Sequence, residues 1–155
     1  MTKESYFGID GKPTVSENGF AVGYVEYDER GNNTRETYFG VDGKPALHKK
    51  GISGVRREYD ARGNMTKESY FGIDGKPALL NEGFSELRRE YDACGNMTKE
   101  SYFGVDGSPT LHKEGFSELR IEYDALGNLV SLFAYDANGK LIIPAEGPKA
   151  GSVAK

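Results

Sequence analysis

The residues best suited to chemistry in this 155-residue chain are four tyrosines at a constant interval, Tyr6, Tyr38, Tyr70 and Tyr102. Each opens the phrase Y-F-G-x-D-G. A row of phenols at one fixed step makes a stacking platform: ring faces accept the CH-rich faces of sugars, and the hydroxyls supply hydrogen bonds. The same rings serve equally well as core in a chain poor in aliphatics. Tyrosine and the phenylalanine beside it point to opposite faces of a strand, so one of the two rows is the less buried. These four tyrosines are the candidate ligand-binding residues.

Other groups carry less. Asp10, Asp42, Asp74 and Asp106, with the aspartate of each Y-D, could offer carboxylate and turn carbonyl oxygens to calcium. Each site has one Asp and no D-x-D-x-D-G loop, and turn chemistry accounts for the residue. His48 and His112 hold equivalent positions with Leu80 between them, and no Ser, Cys or carboxylate recurs beside them. Catalysis needs one convergent site, whereas repetition spreads identical groups evenly, so no enzyme, metal or cofactor is expected. Cys94 stands where the other copies have Arg30, Arg62 and Leu126, a position that does not select for a thiol.

Charge narrows the partners. The formal net charge is −4, and Lys and Arg alternate with Glu. A nucleic-acid partner would want a basic face and is not expected. No run of 18 apolar residues offers a membrane span, and the N-terminus has no apolar signal core. Nothing in these residues selects a compartment; within a longer protein, the cell surface or secretion is the expectation. The chain begins in mid-repeat, as a short array or a piece of a longer one.

The elements that must position these groups repeat every 32 residues. Residues 65–96 and 97–128 agree at 25 of 32 positions, enough to require one shared fold. A period of this length signals stacked supersecondary units that bury apolar surface against their neighbours. Glycines punctuate it in alternating steps of 12 and 20 residues: Gly11, Gly31, Gly43, Gly63, Gly75, Gly95, Gly107, Gly127 and Gly139. Asp28-Glu29-Arg30-Gly31 reads as a type I turn closed by a glycine bulge. Val41-Asp42-Gly43-Lys44 reads as the same turn or as a two-residue type I′ hairpin.

Strands lie between the turns. Residues 33–39 place Thr34, Glu36 and Tyr38 on one face, with Arg35, Thr37 and Phe39 on the other. Residues 54–59 place Val55, Arg57 and Tyr59 inward and Arg56 and Glu58 outward, where opposite charges pair across strands. Phe84, Leu87 and Tyr91 also have helical spacing, but the first copy, G-F-A-V-G-Y-V-E-Y, suits a strand. Residues 44–51 read as a short third strand and a bend at Gly51, followed by an anchor at Ile52 equivalent to Phe20, Phe84 and Phe116. The array ends at residue 144, and 145–155 read as a disordered tail.

The phrase Y-D-A-R-G-N-M-T-K-E-S-Y-F-G-I-D-G (59–75) resembles the YD repeats of bacterial Rhs-type proteins. That resemblance implies β-hairpin spirals that wrap into a shell around cargo, although the segment after each D-G is longer here. The phrase T-Y-F-G-V-D-G-K (37–44) resembles the hairpins of cell-wall- and glucan-binding repeats, which implies sugar or choline sites between hairpins. Those sites rely on tryptophan, and this chain has none.

The expected fold is all-β: tandem hairpins over residues 1–144, stacked into an elongated solenoid, a spiral or a continuous twisted antiparallel sheet. The expected function is a non-catalytic structural or protein-interaction module. Glycan or cell-wall binding through the repeated aromatics is the second expectation, and a fragment of an Rhs-like shell the third. Open end strands invite edge-to-edge self-association.

Overall fold

The computed structural model describes residues 1–145. Ten strands form one antiparallel sheet: β1 (Thr2–Ser5), β2 (Val22–Tyr27), β3 (Asn33–Phe39), β4 (Gly54–Tyr59), β5 (Met65–Phe71), β6 (Glu86–Tyr91), β7 (Met97–Phe103), β8 (Glu118–Tyr123), β9 (Leu129–Tyr135) and β10 (Leu141–Ala145). Their order in the sheet is their order in the chain. Of the arrangements the glycine spacing allows, the continuous antiparallel sheet is the one adopted. Among the described residues there is no helix, and so none long and apolar enough to cross a membrane. The tail expected at 145–155 lies outside the described residues except for Ala145, which ends β10 opposite Leu132.

The reversals follow from aspartate and glycine. Asp28 Oδ1 accepts the amides of Arg30 and Asn32, each at 2.9 Å, and the Gly31 N–H donates to the Asp28 carbonyl at 3.0 Å. Gly31 sits at φ +83°, a conformation that a Cβ disfavours. The extra residue shifts the register, so that Glu26 faces Arg35 but Tyr27 faces Asn33. Asp60, Asp92 and Asp124 repeat the arrangement. The Gly43 turn is built alike, with Gly43 N–H donating to Gly40 O at 3.1 Å. A type I′ hairpin would need positive φ at Asp42, and among the described residues only glycines have it.

Residues 44–51 differ from expectation. The third strand shrinks to a single bridge, Phe39 to Pro45, because proline has no N–H with which to extend a ladder. The bend at Gly51 is a complete turn, with φ +89° and its N–H on His48 O at 2.8 Å. Each 20-residue interval therefore contains a third reversal.

The 40–53 connection and its equivalents at 72–85 and 104–117 fold back over the inner face. Each also bonds to the connection before it: Lys49 N–H donates to Asn18 O of the equivalent 8–21 segment, Asn81 N–H to Lys50 O and Lys113 N–H to Glu82 O. Beneath them lies the core, formed by Ile52, Val55, Tyr70, Leu80, Phe84, Leu87 and Tyr102. The expected anchors hold: Phe20, Ile52 and Phe84 are buried, and Phe116 packs against the cluster.

Candidate functional site

Three of the four candidate tyrosines are buried, Tyr70 and Tyr102 within this core. Tyr38, Tyr70 and Tyr102 retain 8, 5 and 5 % exposure, and Tyr6, beside the end strand, is half-buried. Their ring faces are already covered. Phe84 packs edge-on against Tyr70 and Tyr102, with ring centres 5.7 and 4.7 Å away, and His112 lies 5.0 Å from Tyr102. His48 covers Tyr38 at 5.1 Å. The histidines thus lie tilted against the tyrosines and stack on Phe20 and Phe116, a packing role, and Leu80 is buried at the equivalent position between them. His48 Nδ1 accepts the Lys50 amide at 3.2 Å. Burial, with Lys50 and Lys49 nearby, holds its pKa below the ordinary value.

The phenol hydroxyls are also occupied. Tyr38 donates to Glu36 Oε2 at 2.5 Å, Tyr70 to Glu68 and Tyr102 to Glu100. Burial and these glutamates push the three phenols well above the usual tyrosine range. The glutamates belong to a ladder of charges on the inner face. Arg57 bonds Glu36 at 2.6 Å and Glu68 at 2.5 Å, and Arg89 bonds Glu100 at 2.7 Å. Burial alone would raise the Glu36 carboxyl, but hydrogen bonds from Tyr38 and Arg57 outweigh it and hold the group low. The ladder stops where Val25 faces Glu36 on one side and Ile121 faces Leu132 on the other. Cross-strand charge pairing was expected on the outer face alone; the inner face carries the more buried set.

The tyrosine of each Y-D phrase has a different task. Tyr59, Tyr91 and Tyr123 donate to the carbonyls of Asn33, Met65 and Met97, each 26 residues earlier, at 2.7–2.9 Å. They latch each unit to the one before. Arg30 Nη1 reaches forward to Ala61 O at 2.6 Å, and Arg62 makes the same contact to Ala93 O. Cys94, next in that series, is exposed.

The turn aspartates spend their oxygens on backbone amides. Asn32 also donates from its side chain to Asp28 Oδ2 at 2.9 Å, and this bond leads the causes that lower the Asp28 pKa. Among the described residues no cluster of three His, Cys, Asp or Glu is placed to hold a metal ion. The nine predicted turn glycines all have positive φ.

The less buried aromatic row is the outer one: Phe39, Phe71, Phe103 and Tyr135. Arginines cover it, with Arg56 4.9 Å over Phe71, Arg88 4.2 Å over Phe103 and Arg120 4.7 Å over Tyr135.

What the array does present to solvent is aliphatic. Ile9, Val41, Ile73 and Val105 are exposed at the tips of the F-G-x-D-G turns. Val15, Leu47, Leu79 and Leu111 are exposed farther along the same connections. Each set recurs once per two strands, a step of about 10 Å along the sheet. The sequence signal for the first set was the x of F-G-x-D-G, always Ile or Val at a turn position where polar residues are usual. The sequence matches no protein-family model and no curated protein.

Proposed function

We propose that this chain is a non-catalytic interaction module that presents a regular surface to a protein partner. The observation that carries this reading is the pair of aliphatic stripes, 9/41/73/105 and 15/47/79/111, held exposed at every unit. Apolar residues scattered singly on a surface need no explanation, whereas eight of them recurring in two rows at one fixed step offer a partner the same contact again and again. A partner whose own apolar groups recur every ~10 Å would engage several units at once and gain avidity.

The remainder of the molecule supports the same reading. Tyrosines, glutamates and arginines in the interior bond one another, and the turn aspartates bond their own amides. The resemblance of the Y-D-x-x-G-N phrase to YD repeats fits a wall- or scaffold-like use of hairpins. Sugar stacking on Tyr38, Tyr70 and Tyr102 would require removal of the rings and connections that cover them.

Replacing Val41, Ile73 and Val105 with Ser, and separately Leu47, Leu79 and Leu111, tests the proposal. Each triple variant should keep the wild-type circular dichroism spectrum yet lose cross-links, mapped by mass spectrometry, to the partner that wild-type protein engages in extracts of its source cells. Cross-linking unchanged in both variants would refute the stripes as the interface. Retention on insoluble polysaccharide would move the function to glycan binding.

A further inference from the structure

The repeats provide an internal reference for the outer face. Position 54 is glycine, while the same position one and two units later is Glu86 and Glu118. Glu86 bonds Arg88 Nε at 2.6 Å and Lys67 Nζ at 3.4 Å. Glu118 bonds Arg120 Nε at 2.6 Å and Lys99 Nζ at 3.5 Å. Serine hydroxyls complete both sites, Ser69 and Ser101 each donating at 3.4 Å. The carboxylate therefore bridges two cations that face each other across neighbouring strands, Lys67 opposite Arg88 and Lys99 opposite Arg120, while Glu58 and Glu90 contact the lysines from the other side.

At the Gly54 position the cations persist and the carboxylate does not. Arg35 lies directly opposite Arg56. Like charges in that register repel. Among the described residues Arg56 has no carboxylate within ion-pair distance, and Arg35 has only the exposed Glu26 at 3.7 Å. A groove of about 200 Å³ lies at this position, comparable with those of about 270 and 190 Å³ beside Glu86 and Glu118, but with no carboxylate at its centre. Its lining includes Arg35, Phe39, Gly54, Arg56, Phe71 and Ile73. Arg56 is already laid over the Phe71 ring, as Arg88 and Arg120 are over theirs. A guanidinium fixed in this way loses little freedom when it takes a carboxylate.

We propose that this groove receives a glutamate side chain of the protein partner, its carboxylate between Arg35 and Arg56 and its stem over Phe39 and Phe71. The occupant is chosen on charge and shape: among the described residues Arg56 has no carboxylate and Arg35 only a long, exposed pair with Glu26, so the facing guanidiniums call for an anion, and the array itself fills the equivalent sites with glutamate. Ile73, a member of the first aliphatic stripe, lines the groove, so an aliphatic residue beside the glutamate meets it. The inference rests on the reading of the array as an interaction module and specifies the chemistry of its partner.

The test uses the whole chain labelled with nitrogen-15 and two tripeptides, acetyl-Leu-Glu-Leu-amide and acetyl-Leu-Gln-Leu-amide. The glutamate peptide should shift the side-chain Nε–Hε signals of Arg56 and Arg35 and the Gly54 amide saturably, leaving Arg88 and Arg120 in place. The glutamine peptide should bind about tenfold more weakly or worse, the loss expected when a charged hydrogen bond becomes a neutral one. Higher salt should weaken the first interaction and not the second.

Two variants localise the effect. A Cβ at Gly54 would stand 3.1 Å from Glu36 O, with Thr37 directly across the strand pair. Thr37→Ser with Gly54→Glu therefore transplants the Ser69–Glu86 pair and should supply Arg35 and Arg56 with a carboxylate from within, abolishing the response. Arg56→Gln leaves that backbone contact untouched and should abolish it as well. Equal response to both peptides, or response surviving in both variants, overturns the glutamate site while leaving a peptide-binding array. No shift from either peptide at millimolar concentration overturns the site alone, because the stripe variants test the module independently.

Discussion

Replacing Arg57 with Met removes the cation between Glu36 and Glu68 while keeping a long apolar stem. Breaking a buried ion pair by deleting one member costs about 3–5 kcal/mol, because the remaining charge is left without a partner. Here the side chains of Arg57, Glu36 and Glu68 keep 19, 22 and 16 % of their exposure, so water screens part of that penalty. About 2–3 kcal/mol is expected to remain. For a chain of this size that corresponds to a fall of roughly 5–10 °C in Tm. Arg35→Met is the control. Its pair with Glu26 spans 3.7 Å with both side chains near half exposure, so it should cost at most about 1 kcal/mol. Urea unfolding followed by circular dichroism compares the two. Arg57 helps to hold the Glu36 carboxyl low, so protonating that group should relieve part of the defect, and the gap between Arg57→Met and wild type should narrow as pH falls. Equal losses in the two variants, or a gap unchanged with pH, would refute the view that the inner face depends on paired charge.

Gly63→Val should lose about 1–3 kcal/mol by denaturant unfolding; the nearest atom to a new Cβ is 3.9 Å away, so the cost comes from φ +86° and not from collision. Tyr70→Ala should cost about 3–5 kcal/mol as a core truncation, and Tyr70→Phe, which deletes only the bond to Glu68, about 1–3 kcal/mol; loss of ligand binding without loss of stability would contradict the burial described. Asp28, Asp60, Asp92 and Asp124 have lowered pKa values, so their contribution to stability is complete above the unfolded value of 3.8 and should disappear as pH falls through the folded values. Replacing all four with Asn should flatten that part of the Tm-against-pH curve. His48 is likewise lowered, so its stabilisation is present above the unfolded value of 6.5 and is lost progressively below it; proton NMR should find it titrating under 6.5.

The backbone was largely legible. Asp and Gly at fixed offsets announce their turns because the required hydrogen bonds and positive φ are local matters, settled within four or five residues. Strand faces were legible for the same reason: Val55 and Leu87 point inward as alternation demands. What the sequence concealed depends on residues a full unit away. Arg57 reads as an inward charge without a partner until Glu36 and Glu68 are brought beside it from 21 residues before and 11 after. Tyr70 looks like a platform until the 72–85 connection folds back and sets Phe84 against it. Gly51 hid its turn because no aspartate precedes it; His48 Nδ1 takes the amide that an aspartate would take elsewhere. The Gly54 groove was visible in principle, as the one glycine in the column Val22, Gly54, Glu86, Glu118, but only the register across β3 and β4 gives that gap a meaning.

Strand order equal to chain order has a mechanical consequence. The first and last strands lie on opposite margins, nine strand spacings or about 43 Å apart. Each described strand touches only its immediate neighbours in the chain. Tension applied to the two ends therefore acts across the ladder and opens its rungs singly, as a zip opens, without shearing many together. One released unit of 32 residues lengthens from about 10 Å to roughly 110 Å. Loading of this kind is expected to release the sheet in steps, with the adjoining intact hairpin as the template on which each step re-forms.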